Sequence, residues 1–261
     1  MNCKICNSPT FSMAHAPVLG KFPVEFFHCY RCGFVQTETP YWLSEAYSEA
    51  IAACDVGLVD RNISLYRVTQ AIISTLFDPS GQFLDWGGGF GLFVRLMRNE
   101  GFDFFRYDKY CPNIFSKGLD IDLAEVNLEF GMITAFEVFE HLENPMDELN
   151  SMLSFSNTVL FSTLLISDDP PPVDKWWYYA LETGQHIAFY TLKSLQIMGR
   201  EFGMNLYSNG SGLHMLTVKR FPNIFFKMIA KQKVASLLHL FTKRRSLIGE
   251  DYKRLTGKTI E

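Results

Sequence analysis

The apolar residues of this 261-residue chain follow two different spacings between positions 62 and 219. In NISLYRVTQAIISTLF (62–77) they recur about every 3.6 residues, which predicts an amphipathic helix, and the DPSG sequence that follows predicts its end. Four short apolar runs beyond it predict strands: 82–86, 102–108, 132–139 and 157–166. Three further segments return to helical spacing: 90–101, 144–153 and 191–203.

Strands that alternate with helices predict a mostly parallel sheet with helices on both faces, which is an α/β fold. The segment MNLYSNGSGLHMLTVK (204–219) is different, because two β-prone runs flank an Asn-Gly-Ser-Gly turn. It predicts a hairpin and therefore an antiparallel edge on the sheet.

Changes in composition predict four parts along the chain. Residues 1–40 are rich in Cys, Pro and turn residues and form a small module, and residues 41–80 form a helical cap or linker. The α/β domain follows over residues 81–220, and a basic amphipathic tail covers residues 221–261.

Composition and targeting signals indicate a globular cytoplasmic protein. Hydrophobic residues make up 48% of the chain, yet no stretch of about 18 uncharged apolar residues predicts a transmembrane helix. The N-terminus, MNCKICNSPT, lacks the apolar region of a secretory signal. Four of the six cysteines stand in two CxxC pairs, which favours bound metal in a reducing compartment over disulfides.

The net charge of −4 conceals a basic segment. Eight Lys and Arg residues and no acid lie between Lys219 and Ile248, which leaves 16 basic and 28 acidic residues elsewhere. An acidic body disfavours general nucleic-acid binding. The tail carries lysines between apolar residues at loosely helical spacing, so it either packs on the domain or contacts a membrane surface or a partner protein.

The two CxxC pairs, Cys3 with Cys6 and Cys29 with Cys32, form the pattern C-x2-C-x22-C-x2-C. Two such knuckles can bring four thiolates to the corners of a tetrahedron around Zn²⁺, and iron fits the same ligands. All four ligands are protein sulfurs, so the metal would be structural. The pattern predicts a zinc-ribbon-like module.

The stretch 85–91 reads DWGGGFG, four glycines between a predicted strand and a predicted helix. A dinucleotide fingerprint read from Gly87 would need Gly or Ala at position 92, where Leu92 stands. Asp108 ends the next predicted strand, and a carboxylate there can accept hydrogen bonds from both hydroxyls of a ribose. Glycines let a ligand approach the main chain closely. The alternative is a tight turn without a ligand.

These motifs together resemble the class I S-adenosylmethionine-dependent methyltransferases. LDWGGGFG (84–91) is similar to their first motif, Asp108 to their ribose-binding acid, and ITAFEVFEHLENP (133–145) to their fourth-strand motif. The resemblance implies a Rossmann-like sheet of seven strands with an antiparallel last strand. Only about 20 residues separate Asp108 from the strand at Met132, which is short for a strand and a full helix. Asp120 and Asp122 are both candidates for the acid that contacts adenine.

The same resemblance implies the residues that bind the cofactor. Asp85 would lie near the ammonium group of S-adenosylmethionine, and Glu137 near the cofactor at the end of the fourth strand. Gly87, Gly89 and Gly91 would line its methionine part.

A cysteine-rich module before this fold also resembles the sugar C-methyltransferases, which act on nucleotide-linked sugars and carry a further C-terminal domain. That resemblance implies roles for Tyr47 and for the stretch GQHIAFYTLKSL (184–195). The relatives have a Glu-His pair where this chain has Gln185 and His186.

Methyl transfer often requires a group that removes the acceptor's proton, and a histidine near the cofactor suits neutral pH. His186 follows the loop after a strand's carboxyl end, where ligands bind in open α/β sheets, and His141 lies beside the fourth-strand motif. The predicted catalytic residues are therefore His186, His141 and Tyr47. The alternative for both histidines is packing.

The sequence thus predicts a cytoplasmic S-adenosylmethionine-dependent methyltransferase that carries structural zinc and acts on a small molecule, of which a sugar or nucleotide-sugar is one class. The alternative is a non-catalytic binding protein of the same fold that uses the zinc module and the basic tail for a protein or membrane partner. A nucleic-acid methyltransferase is disfavoured by the acidic body.

Overall fold

The computed structural model describes residues 1–48, 55–124 and 129–259. The chain divides into two compact units. The first contains Met1–Ala52, Phe136–Ser154 and Val159–Arg220, and the second contains Ala53–Ala135, Phe155–Thr158 and Phe221–Glu261. Part of the predicted helical cap, residues 49–54, lies outside the described residues.

The helices and strands follow the spacing of apolar residues closely. The strands are β1 (Phe11–Val18), β2 (Phe22–His28), β3 (Val35–Thr37), β4 (Gln82–Trp86), β5 (Asp103–Tyr107), β6 (Met132–Phe136), β7 (Thr158–Ser162), β8 (Ala188–Phe189), β9 (Asn205–Ser208) and β10 (Leu213–Thr217). The helices are α1 (Leu43–Ala46), α2 (Leu58–Leu76), α3 (Leu92–Asn99), α4 (Pro145–Leu153), α5 (Leu192–Glu201), α6 (Asn223–Ile229), α7 (Gln232–His239) and α8 (Ile248–Thr256). Single 3-10 turns cover Phe139–His141 and Trp177–Tyr179.

The larger sheet contains six strands within the described residues, in the order β5-β4-β6-β7-β10-β9. Strand β4 is parallel to both β5 and β6. The predicted hairpin is present as β9 and β10, which pair antiparallel at the edge of the sheet. The α/β prediction and its antiparallel edge are therefore confirmed.

The sheet has one strand fewer, among the described residues, than the seven that the resemblance implied. In place of a further strand beside β5, one parallel bridge joins Arg106 to Asp120. The Arg106 amide donates to the Leu119 carbonyl, and the Ile121 amide donates to the Arg106 carbonyl, both at 2.9 Å. Among the described residues between Asp108 and Met132, this bridge is the pairing that lies beside β5.

The smaller sheet belongs to the first unit and has the order β1-β2-β3-β8. Its final strand comes from residues far along the chain, so the first forty residues do not complete this sheet by themselves. Phe26, Trp42, Tyr179 and Phe189 are buried together in the apolar core beside it. The Thr191 side chain caps α5 by accepting from the Ser194 amide, and its hydroxyl donates to the Cys32 carbonyl at 2.6 Å.

The basic tail forms the helices α6, α7 and α8. Asp251 of α8 is buried and accepts hydrogen bonds from the guanidinium groups of Arg98 and Arg95 in α3. Burial acts to raise the pKa of Asp251, but the hydrogen bonds and positive charges of Arg98 and Arg95 together lower it. Among the described residues, no helix combines the length and apolar character needed to cross a membrane.

Candidate active site

The glycine turn, residues 85–91, joins β4 to α3 in the second unit. The amides of Gly87 and Gly88 donate to the Tyr107 carbonyl at the end of β5, at 2.8 and 3.2 Å. Gly87, Gly89 and Gly91 have φ angles of 69°, 52° and 83°. This left-handed backbone strains any residue with a β-carbon, so the turn requires glycine at these positions.

Gly91 and Gly89 differ in their surroundings. A β-carbon on Gly91 would lie 2.1 Å from the Ser116 hydroxyl oxygen. A β-carbon on Gly89 would meet no atom of the described residues within 4 Å. Gly91 is therefore fixed by packing inside the protein, whereas the space beside Gly89 is open to a ligand.

Asp108 follows β5 and contacts the turn directly. Its Oδ2 accepts a hydrogen bond from the Gly89 amide at 2.9 Å, and its Oδ1 accepts from the amides of Tyr110 and Cys111 at 2.8 and 2.7 Å. A carboxylate has about four lone-pair positions, so acceptor capacity remains for a ligand hydroxyl. The predicted ribose acid is thus held rigidly beside the open part of the turn.

Asp85 lies within β4 and is almost completely buried. Its Oδ1 accepts a hydrogen bond from the Thr134 hydroxyl in β6 at 2.6 Å. Burial raises the pKa of Asp85 to about 7, and the negative charge of Asp108 acts in the same direction. The carboxyl group is therefore poised between its protonated and ionised forms at neutral pH.

Glu137 directly follows β6 and has a φ of 54°, in the left-handed region. Its amide donates to the Ser162 hydroxyl oxygen at 2.8 Å, and that hydroxyl donates to Glu137 Oε1 at 2.6 Å. Such backbone costs a non-glycine residue roughly 1–2 kcal/mol and persists where the surroundings hold it, which is frequent at functional sites.

Glu140, His141 and His186 form a second group of polar residues in the first unit, which we call the histidine cluster. One potential ligand atom from each residue lies within 4.8 Å of the other two. The two imidazole rings are nearly perpendicular, with centroids 4.9 Å apart. The fold therefore unites the two histidines predicted to be catalytic with a carboxylate that the sequence did not single out.

Glu140 is fully buried, and its Oε1 accepts a hydrogen bond from the Tyr178 hydroxyl at 2.6 Å. Its Oε2 has no hydrogen-bond partner among the described residues. Burial, together with the negative charge of Glu137, raises the pKa of Glu140 to about 8. Burial and the charge of Glu140 likewise raise the pKa of Tyr178, so that its phenol keeps its proton.

His141 Nδ1 lies 3.0 Å from the Tyr47 hydroxyl and 3.0 Å from the Gln185 carbonyl oxygen. Burial lowers the pKa of His141 to about 4, so the ring is neutral at physiological pH. The Gln185 side chain does not join the cluster, because it is buried and donates to the Ala46 carbonyl at 2.8 Å. Tyr47, the third predicted catalytic residue, thus contacts the cluster through His141.

The four cysteines meet in the first unit. Sγ of Cys3 lies 3.5 Å from Sγ of Cys32, and Sγ of Cys6 lies 3.6 Å from Sγ of Cys29. Four sulfurs at about 2.3 Å from Zn²⁺ stand about 3.8 Å apart in a tetrahedron, so the observed spacing fits such an ion. Asn7 and Gly33 follow the two knuckles with left-handed φ angles of 53° and 75°, as the turns require.

The sequence matches the family model described as Methyltransferase domain over residues 61–209. That match spans more than half of the chain. The chain belongs to this family. The matched part of the methyltransferase domain includes the glycine turn, Asp108 and the histidine cluster, whereas the four cysteines and Tyr47 lie before it.

Solved structures with similar folds include three methyltransferases. CalO1 from calicheamicin biosynthesis, with SAH bound, is 13% identical with a TM-score of 0.44, and the match covers 67% of this chain and 61% of CalO1. The plantazolicin methyltransferase BpumL, in complex with a monoazolic desmethylPZN analog and SAH, is 12% identical with a TM-score of 0.48. That match covers 68% of this chain and 93% of BpumL. Magnesium protoporphyrin IX methyltransferase from Synechocystis PCC 6803 is 10% identical with a TM-score of 0.40, and the match covers 68% of this chain and 94% of that enzyme. No curated protein matches the chain.

Arg106 in the second unit and Tyr178 in the first contact candidate residues in ways that the sequence did not predict. Arg106 of β5 is buried, its Nε donates to the Gly89 carbonyl at 2.7 Å, and its guanidinium also pairs with Asp120 and the Cys111 carbonyl. Its signal was an arginine inside an apolar strand, two residues before the predicted ribose acid. Tyr178 gave no such signal, because it stands among the consecutive aromatic residues 176–179.

The remaining candidates have ordinary surroundings. The side chain of Asp120 pairs with Arg106 and accepts from Asn113 at 2.7 Å, and the side chain of Asp122 accepts from the Ala124 amide at 3.0 Å. Tyr178 and Tyr179 are buried in the first unit, whereas Trp177 is 74% exposed. The aromatic residues 176–179 therefore pack mainly on their own unit.

Proposed function

We propose that this protein is an S-adenosylmethionine-dependent methyltransferase that acts on a small molecule. One observation carries the proposal: the Gly89 amide contacts the Asp108 carboxylate at 2.9 Å, beside open space that a β-carbon on Gly89 would enter. A backbone cradle beside an acid held by main-chain amides suits an adenosyl group with ribose hydroxyls.

The cofactor residues we propose are those of the glycine turn and its neighbours. S-adenosylmethionine, when bound, supplies a methyl group on a positively charged sulfur. Asp108 accepts hydrogen bonds from the ribose, Gly87, Gly89 and Gly91 let the main chain lie against the methionine part, and Asp85 faces its ammonium group. By the resemblance alone, Glu137, directly after β6, is a further proposed cofactor residue.

The acceptor we propose is a small molecule with a removable proton, and the sugar or nucleotide-sugar class follows from the resemblance alone. His186, with His141 and Tyr47, would control that proton. Support comes from the contacts that unite these residues, 3.0 Å between Tyr47 and His141 and 4.9 Å between the two imidazole centroids. Mass spectrometry of small molecules that co-purify with the protein would identify candidate acceptors.

Calorimetry tests the cofactor half of this proposal. The wild type should bind S-adenosylmethionine more tightly than NAD, and Asp108→Ala should weaken S-adenosylmethionine binding. Asp174→Ala is a matched control, since that carboxylate is exposed and pairs with the neighbouring Lys175. Tighter binding of NAD would contradict the proposal. It would indicate that the protein is either non-catalytic or uses a different cofactor.

We propose in addition that the four cysteines hold one structural Zn²⁺. Elemental analysis should give about one zinc per chain, and Cys29→Ser should lose the metal together with N-terminal order. Cys111→Ser is the control, because Cys111 is also buried yet is not one of the four. A folded, metal-free wild type would contradict this assignment. The same reduced thiols are the basis for proposing a cytoplasmic location.

A second candidate function is peripheral attachment to an anionic membrane through the tail. Ile224, Phe225 and Met228 of α6 are exposed beside the basic residues of the segment Lys219–Ile248, and so are Leu240 and Phe241 after α7. Exposed apolar side chains among lysines favour the interface of anionic lipids. The protein should float with vesicles containing phosphatidylserine and not with neutral vesicles, and Phe225→Ser with Phe241→Ser should abolish this.

A further inference from the structure

The histidine cluster is one of two groups in the described residues that bring three or more His, Cys, Asp or Glu side chains within metal-binding reach. The other is the set of four cysteines. The two groups differ in chemistry: sulfur donors in one, and two imidazoles with one carboxylate in the other. Nitrogen and oxygen donors in this ratio are typical of catalytic transition-metal sites.

Hydrogen bonds fix which nitrogen of each ring carries the proton. His141 Nδ1 lies 3.0 Å from the Gln185 carbonyl oxygen, and His186 Nδ1 lies 2.7 Å from the Tyr178 carbonyl oxygen. A carbonyl can only accept, so Nδ1–H is the donor in both rings and Nε2 carries the lone pair. Metal-binding histidines are commonly oriented in this way, with the second ring nitrogen bound to a backbone carbonyl.

Glu140 supplies an independent observation that points to a cation. Its side chain is fully buried, and Oε1 is occupied by the Tyr178 hydroxyl at 2.6 Å. Oε2 is left without a hydrogen-bond partner among the described residues. An unsatisfied buried carboxylate oxygen is costly, and coordination of a positive ion would satisfy it.

We propose that Glu140, His141 and His186 bind one divalent transition-metal ion, of the class of Zn²⁺, Co²⁺ or Mn²⁺. Ligands at about 2.1 Å from one ion stand about 3.0–3.4 Å apart, so a separation of 4.8 Å, the upper limit for these ligand atoms, would shorten by about 1.4–1.8 Å on binding. Three protein ligands leave positions open on the ion, and an acceptor oxygen would occupy one of them.

The role of this ion in methyl transfer rests on the proposed function, because it concerns the acceptor. The binding of the ion does not depend on the proposed function. A hydroxyl bound to such an ion loses its proton more readily, so His186 would hold the ion rather than take the proton itself. The implied substrate class is an acceptor with a hydroxyl that ligates metal, and the implied product is an O-methyl ether. The acceptor hydroxyl loses H⁺ to solvent, its oxygen forms the new bond to the methyl carbon, and the sulfur–methyl bond breaks.

Co²⁺ is titrated in a calorimeter into the 261-residue protein, which has been purified with zinc at the cysteines and washed with a mild chelator. The wild type should bind one further equivalent. Its visible spectrum should show bands typical of nitrogen and oxygen ligands, without thiolate charge transfer. Glu140→Gln and His186→Asn should each weaken Co²⁺ binding by more than about 100-fold, beyond the 10–100-fold typical of lost supporting groups.

Two further variants make the result decisive. His15→Ala removes an exposed histidine on β1 and should bind Co²⁺ like the wild type. Tyr178→Phe keeps all three ligands but loses the hydrogen bond to Glu140, so it should weaken binding by about 10–100-fold even if the ligand variants fold poorly. Equal binding by wild type, Glu140→Gln and Tyr178→Phe, or a thiolate spectrum for the second equivalent, would overturn the metal site. Co²⁺ binding without S-adenosylmethionine binding would instead overturn only the proposed function.

Discussion

The glycine turn of the second unit is built from backbone, whereas the histidine cluster of the first unit is built from side chains. In the turn, the amides of Gly87 and Gly88 donate to the Tyr107 carbonyl at the end of β5, and the Gly89 amide donates to the Asp108 carboxylate that follows it. In the cluster, rings and carboxylate are aimed by bonds to the carbonyls of Gln185 and Tyr178 and to the Tyr178 hydroxyl.

This difference teaches where specificity can reside. A backbone turn fits any ligand with the right shape and hydrogen-bonding groups, so it suits a cofactor shared by many enzymes. Side chains can be exchanged without rebuilding the fold, so the cluster is where the choice of acceptor can vary. Substitutions in the two regions should therefore change different measured quantities.

The largest expected effect is on turnover at the histidine cluster. His186→Asn should lower kcat by about 10²–10⁴-fold, because a group that controls the acceptor proton matters mainly in the transition state. Its affinity for S-adenosylmethionine, measured by calorimetry, should match the wild type. Turnover within about threefold of wild type at neutral pH would show that His186 has no role in the mechanism. An equal loss of affinity for S-adenosylmethionine would show that the histidine cluster also takes part in cofactor binding.

The next effect is a pH dependence of stability at the glycine turn. Burial raises the pKa of Asp85 to about 7, and Asp108, Arg106 and Thr134 are the charged and hydrogen-bonding groups that act on it. The folded state thus holds this proton more tightly than the unfolded chain, so stability is present at low pH and is lost as pH rises towards 7. From pH 5 to pH 8 the unfolding free energy of wild type should fall by about 3 kcal/mol relative to Asp85→Asn.

Urea unfolding of both proteins at several pH values measures this difference. Cofactor must be absent, since a bound ammonium group would favour the ionised carboxylate and reverse the trend. If the curves for wild type and Asp85→Asn stay parallel across this range, the carboxylate is not desolvated as the structure indicates.

Asp108→Ala should weaken S-adenosylmethionine binding by about 1.5–3 kcal/mol, since a charged acceptor of ribose hydroxyls is lost. Asp108→Asn keeps one acceptor oxygen and should lose less. Calorimetry measures the affinity of both variants for S-adenosylmethionine. Equal binding by Asp108→Ala and wild type would show that another acid binds the ribose. The rate of the chemical step at saturating cofactor should change little.

The smallest expected effect distinguishes Gly89 from Gly91 in the glycine turn. Both Gly91→Ala and Gly89→Ala force a β-carbon into left-handed backbone, at roughly 1–2 kcal/mol. Gly91→Ala also clashes with Ser116 and should be less stable than Gly89→Ala by about 1–3 kcal/mol. Gly89→Ala should weaken S-adenosylmethionine binding more than Gly91→Ala does, because its β-carbon enters the open space beside the turn. Thermal unfolding and calorimetry measure these two quantities, and equal stability of the variants would contradict the packing described for Gly91.

The sequence predicted most of the fold because local spacing decides it. The strand QFLDW became β4 over the same residues, and the hairpin around Asn209 and Gly210 formed as expected. The short connection after β5 was visible in the sequence, but only the structure revealed the bridge from Arg106 to Asp120. The roles assigned to site residues stay predictions until the variants are measured.

The sequence by itself determined the two motifs whose chemistry lies within a few consecutive residues: the CxxC knuckles and the glycine turn. Tertiary structure decided the rest. Glu140 and His186 are 46 positions apart, and only the fold buries Tyr178 against Glu140. Such a site has no sequence signature, because its geometry depends on how a 3-10 turn and a distant loop pack together, and that packing is set by the many apolar contacts of the core rather than by the site residues themselves.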